Sequence, residues 1–93
     1  KLIEISKAVT PDGNGINDFW FLKNIERYSN EVLIVDRWGN EVYSAADYNN
    51  ENIAWNGRNA YGKVLPAGTY FYVIRLHGEK INVVEKGFVE LVD

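Results

Sequence analysis

The chain has no cysteine and no methionine, two prolines and a single histidine. Without cysteine there is no disulfide, no thiolate nucleophile and no thiolate-ligated zinc. Long apolar runs are missing too. The longest aliphatic run is four residues, Val32 to Val35, far short of the roughly 20 apolar residues that span a bilayer as a helix. Basic clusters are absent as well. Ten Lys and Arg are interspersed among 13 Asp and Glu, for a net charge of −3. Nucleic-acid binding and polybasic membrane anchoring both depend on clustered cations, so neither fits.

The catalytic vocabulary is equally thin. His77 is the one histidine, and the serines are Ser6, Ser29 and Ser44, none in a strained elbow motif. A Ser-His-carboxylate triad has little to draw on. No Gly-rich nucleotide loop occurs. A carboxylate pair of the glycosidase kind is the one catalytic arrangement the residues leave open, and a small sandwich offers little room for its cleft. The expectation is a protein that is not an enzyme and carries no certain cofactor.

What is present is ordinary for one folded domain: 93 residues, 46% hydrophobic and 25% charged. The chain opens on "KLIEI", which reads as a strand without a preceding signal peptide. The expectation is a single domain, 1–93, excised from a longer protein.

The dominant hydrophobic period is two. It predicts strands over 2–9 and 19–25, then a buried strand over 31–38. Gly39-Asn40 reads as the hairpin signal joining that strand to 41–45. Residues 46–68, rich in Asn, Gly and Ala, read as a long connection with room for one short strand. The clearest strand is 69–77, with Tyr70, Tyr72, Ile74 and Leu76 on one face and Phe71, Val73, Arg75 and His77 on the other. Gly78-Glu79 turns it back into 80–92, where Gly87 reads as a bulge. No stretch has helical period. Together these elements predict an all-β fold, an immunoglobulin-like antiparallel β-sandwich of about six or seven strands, with a small barrel as the alternative.

Two features could bind something. In "VTPDGNGINDFW" (9–20), Asp12, Asn14 and Asp18 stand at even spacing, with the Ile16 carbonyl between them. Alternate residues of a curved loop can point oxygens at one hard cation, so these four are candidate calcium ligands. The EF-hand pattern is met only in part: Ile16 occupies a side-chain ligand position and Lys23 stands where the closing Glu belongs. Pro-Asp-Gly also has its own reason to be there, as a tight turn, and that reading is favoured. The second feature is aromatic. Trp20, Trp38 and Trp55 could build a sugar-stacking platform, or simply fill a core that has no disulfide; most are expected in the core. Tyr28, Tyr48 and Tyr61 lie in loops and are expected to be exposed.

Four blocks then line up in order: "TPDGNGINDFW" (10–20), "VDRWGNEVY" (35–43), "WNGRNAYGKVLPAGTYFYVI" (55–74) and "KGFVELV" (86–92). This series resembles the gliding motility-associated C-terminal domain, the CHU_C or type B sorting domain. The departures are small. Asp12 and Asn14 exchange the usual Asn and Asp, Asp36 replaces Asn, and Asn56 replaces Asp. The third block alone also resembles the immunoglobulin-like part of flagellar hook-capping proteins, which leaves the first and last blocks unexplained.

The resemblance implies a C-terminal signal for the type IX secretion system. Members close large surface proteins of Bacteroidota and send a covalently linked N-terminal passenger across the outer membrane to the cell surface or beyond. The implied partners are the secretion machinery and a porin-like outer-membrane protein. A surface carbohydrate-binding or adhesive sandwich, or a structural immunoglobulin-like spacer, are the alternatives. In physical terms, Leu65–Thr69 is expected to launch the strand of Tyr70, and Trp38 or Trp55 to fill the core. The closing strand is expected near a sheet edge, open to strand addition. Its residues Lys86, Gly87, Phe88, Val89 and Leu91 are the candidates for recognition.

Overall fold

The structure, a computed structural model, describes residues 2–92. It is all-β. Five strands form the main sheet in the order β2 (Ala8–Val9), β7 (Asn82–Leu91), β6 (Gly68–His77), β4 (Ser29–Val35) and β5 (Glu41–Ala46). A two-stranded sheet, β1 (Glu4–Ile5) with β3 (Leu22–Lys23), lies apart from it in pairing. One 3₁₀ turn, Ile25–Arg27, follows β3. The expected sandwich is present, with seven strands in two sheets of very unequal size.

The long pairings follow from residue chemistry. β6 and β7 run antiparallel over ten register pairs, from Gly68 opposite Leu91 to His77 opposite Asn82. Both carry the β-branched and aromatic residues that suit a pleated, half-buried surface. The strict alternation along them puts Tyr70, Ile74, Leu76, Val89 and Leu91 in the core, all at most 5% exposed. β4 adds Val32 and Ile34 to the same face. Trp20, Leu22, Ile25, Tyr48 and Trp55 close over that face, each with no exposed surface.

Several expectations are corrected. The strand over 2–9 is two short ones. The break falls at Ser6–Lys7, where the Ser6 amide donates to the Phe21 carbonyl while the Glu90 amide donates to the Lys7 carbonyl. The chain therefore crosses from one sheet to the other, and β2 pairs parallel with the end of β7. The sandwich is not antiparallel throughout. The strand over 19–25 shrinks to β3, because Asn24, at φ 74°, turns the chain into the 3₁₀ segment. The connection 46–68 holds only an isolated bridge between Arg58 and Val64. Gly87 is not a bulge, since the β6–β7 register passes through it unbroken. It is glycine for a different reason. A Cβ there would meet the Tyr72 ring, 2.7 Å from Cζ, so the phenol lies flat over its cross-strand partner.

Tyr48 also reverses expectation. It is wholly buried rather than exposed. Its hydroxyl donates to the Trp20 carbonyl at 2.5 Å and accepts the Trp55 amide at 2.8 Å. It thereby ties the first and third blocks together, and burial pushes its phenol pKa far up. Tyr28 is half-buried and only Tyr61, 95% exposed, is where the loop reading put it.

Candidate recognition surface

Three of the four blocks meet in space. Trp20 donates its amide to the Trp55 carbonyl at 2.7 Å, and the two indoles pack edge to face. Tyr70 packs on Trp55 and Tyr72 on Trp20. At Gly57 the backbone passes so near Leu91 that a Cβ would sit 2.8 Å from its Cδ1 and 3.4 Å from Pro11. Gly57 holds φ +84°, which an L side chain would strain as well. Blocks one, three and four thus converge on a single buried corner.

The second block behaves differently. Trp55 fills the core as expected, but Trp38 does not: it is 75% exposed. The hairpin it sits in is a five-residue loop from Asp36 to Asn40 rather than a two-residue turn at Gly39-Asn40. Asp36 builds it. One carboxylate oxygen accepts the amides of Trp38 and Asn40, each at 2.9 Å, and the other accepts the Asn40 side chain. The Asn40 amide, above all, holds the Asp36 carboxyl below its usual range. That geometry points the indole outward, where the Arg37 guanidinium lies 4.6 Å from its ring centre. Beside it opens a pocket of about 430 Å³, walled by Asp36, Trp38, Leu65, Pro66 and Tyr70. Tyr70 donates its hydroxyl to the Pro66 carbonyl, which fixes the Leu65–Thr69 turn against the strand it launches.

The three tryptophans therefore do not share one exposed face. Two are core, and one stands alone on the surface with Tyr61 elsewhere.

The candidate calcium ligands Asp12, Asn14, Ile16 and Asp18 do lie in one loop, and the side-chain oxygens of Asp12, Asn14 and Asp18 already accept hydrogen bonds within it. Asp18 accepts the Gly13 and Gly15 amides, one on each carboxylate oxygen, at 2.9 and 2.6 Å. Asp12 accepts the Asn14 amide, and Asn14 accepts the Ile16 amide. The Asp12 and Asn14 bonds are those an Asx turn makes, and the Asp18 bonds reach back three and five residues to clamp the same loop. Among the described residues, no group of three or more His, Cys, Asp or Glu could hold a metal. Asp18→Ala is expected to cost about 1–2 kcal/mol through two lost charge-assisted hydrogen bonds. A chelator is expected to leave the wild-type melting temperature unchanged; a drop that Asp18→Ala abolishes would instead assign calcium to the loop.

Of the recognition candidates, Val89 and Leu91 point into the core, whereas Lys86 and Phe88 stand on the opposite, outer face of the sheet. Gly87 lies under Tyr72. His77 sits on the outer face too, with Nε2 3.7 Å from Glu31 and both side chains open to water.

Sequence reasoning missed Asn30. It is 3% exposed in β4. Its amide nitrogen donates to the carbonyls of Ile25, Tyr28 and Tyr48, and its oxygen accepts the Tyr48 amide. It pins both the 3₁₀ turn and the Tyr48 loop to the sheet. Asn50 was missed likewise; its side chain exchanges two hydrogen bonds with the Leu22 backbone, as a strand neighbour would. The only local signal for either was an Asn beside a strand pattern.

Comparison with known proteins places this arrangement. No curated protein matches the chain. The family model of the CHU_C Type IX secretion signal domain matches residues 3–91, a span that takes in all four blocks and the corner where three of them meet, and the chain belongs to that family.

Proposed function

We propose that this chain carries a passenger, covalently linked on its N-terminal side, and that a porin-like outer-membrane partner reads it as a folded unit. Its family makes it a type IX secretion signal, which specifies export across the outer membrane to the cell surface or the extracellular space. The observation that carries the reading is the family match over 3–91. A folded rather than linear signal is supported by where the blocks lie. Blocks one, three and four supply Trp20, Trp55, Tyr70, Ile74, Val89 and Leu91 to the core, so these blocks serve recognition in part by holding a surface in shape. A non-enzymatic role is supported by the water-exposed setting of His77 and Glu31.

The test is a fusion. Residues 1–93 are attached behind a fluorescent passenger with an ordinary export signal, in a host that has this secretion system and a matching partner. The fusion is expected to become accessible to protease at the cell surface, and the passenger alone to stay in the periplasm. Periplasmic retention of a folded fusion would overturn the reading. Removing Lys86–Asp93 is the wrong control, because Val89 and Leu91 leave the core with it.

A second reading, glycan binding, is favoured by one observation: Trp38 is largely exposed beside an open pocket. A polysaccharide titration that leaves tryptophan fluorescence unchanged would sink it.

A further inference from the structure

We infer that the open edge of β7, from Asn82 to Phe88, is the docking site for an extended strand supplied by the secretion machinery. This rests on the sorting reading above and names the surface it leaves open.

The edge is the part of β7 that the two-residue β2 leaves uncovered. β2 covers only the end of β7, at Glu90 and Leu91. Glu90 and Val92 donate their amides outward, to Lys7 and Val9. Strand geometry alternates, so the amides of Phe88, Lys86 and Val84 point the same way. Among the described residues no strand pairs with them on that side. Upstream of β2 the chain turns off to β3, leaving a groove of about 270 Å³ beside the edge. Ile3, Ile5 and Tyr72 supply its apolar wall, and Glu85 and Phe88 its rim.

Such an edge accepts one kind of ligand, another strand. An added strand has two faces. One would enter the groove against Ile3, Ile5 and Tyr72. The other would lie beside Val84 and Phe88, which are 42% and 56% exposed, with Lys86 between them. The complementary segment is therefore largely apolar, with a carboxylate opposite Lys86.

A second copy of this chain fits poorly. Antiparallel pairing of the open stretch about residue 85 sets Glu85 against Glu85. Pairing about residue 86 sets Lys86 against Lys86. Like charges directly opposite each other are destabilising, so either register works against self-association. The other sheet edge, β5, is broken by a register shift beside Val35, and irregular edges resist strand addition.

The test uses the passenger fusion. Lys86→Pro and Val84→Pro each delete one outward amide without touching a hydrogen bond to β6, and proline is tolerated where the amide faces solvent. Surface delivery is expected to fall about tenfold or more while the folded domain persists by circular dichroism. Wild-type delivery with equal delivery by both folded proline variants would overturn the edge and leave the sorting reading intact. No delivery by a folded wild type would overturn both. Should proline unfold the strand, Lys86→Glu keeps the backbone; undiminished delivery by that variant would likewise overturn the proposal. A wild-type fusion that is dimeric by light scattering, and monomeric as Lys86→Glu or Lys86→Pro, would assign the edge to a second copy instead.

Discussion

Trp20→Ala is expected to cost about 4 kcal/mol, the middle of the range for emptying a buried aromatic site. The indole has no exposed surface. It packs against Tyr48, Trp55 and Tyr72, with ring centres 6.2, 6.4 and 5.1 Å away. Its Nε1 donates to the Ser6 carbonyl at 2.7 Å, at the point where the chain crosses between sheets. The substitution thus opens a cavity and orphans an acceptor together. A domain of this size has a total stability of roughly 5–14 kcal/mol, so the variant stands near its unfolding threshold at growth temperature. Urea denaturation of wild type and variant measures the loss. Trp38→Ala is the control. Its indole is exposed and contributes chiefly the contact with Arg37, so a change below about 1 kcal/mol is expected. In the passenger fusion, Trp20→Ala is expected to stop surface delivery. Undiminished delivery by an unfolded domain would show that the signal is read as a linear peptide.

Asn30→Ala is expected to cost about 3 kcal/mol, from a polar rather than an apolar cause. Truncation leaves the Tyr48 amide without its acceptor. It also leaves the carbonyls of Ile25, Tyr28 and Tyr48 without the donor they share. The bonds to Ile25 and Tyr48 are buried, so those groups gain no water in exchange. Asn30→Asp tests the same network by charge. A carboxylate cannot donate to three carbonyls, and burial beside them raises its folded pKa above the unfolded value near 3.9. The sign follows from linkage: the acid form is stabilised by folding, so stability is greatest below the unfolded pKa and falls as pH rises through the folded one. Urea midpoints at acid and neutral pH are expected to separate in that direction for Asn30→Asp relative to wild type. Equal separation in both proteins would show that the site is not closed to water.

The two variants report on different parts of the domain's logic. Trp20 lies in the first signature block and Asn30 in none, yet both hold the same layer over the main sheet. The irregular stretches 10–21, 24–28 and 47–67 hold no strand, only the isolated bridge between Arg58 and Val64. They are held by side chains reaching backbone: Asn30, Tyr48, Asn50 and Asp18. That is one reason the loops are rich in Asn and Asp.

Much was legible from residues alone. The alternation in "TYFYVIRLH" named the faces of β6, and the partners of β4 and β5 followed from the Gly and Asn between them. These features are local, set by backbone sterics and by a period of two. The ordered blocks named the family for the same reason, since a motif is a local record. Burial of the loop residues was not legible. Trp38 and Trp55 each stand beside Gly and Asn, in "WGN" and "WNG", and nothing nearby distinguishes them. Trp55 is covered because Trp20, Tyr43, Tyr48 and Tyr70 arrive from distant parts of the chain. Trp38 is turned out by the hydrogen bonds of Asp36. The crossing at Ser6–Lys7, the parallel pairing of β2 and the uncovered edge of β7 are likewise long-range outcomes. Hydrophobic period marked most of the strands, and the ordered motifs marked the family; only the assembled sheet decided which tryptophan is core and which strand edge is left unpaired.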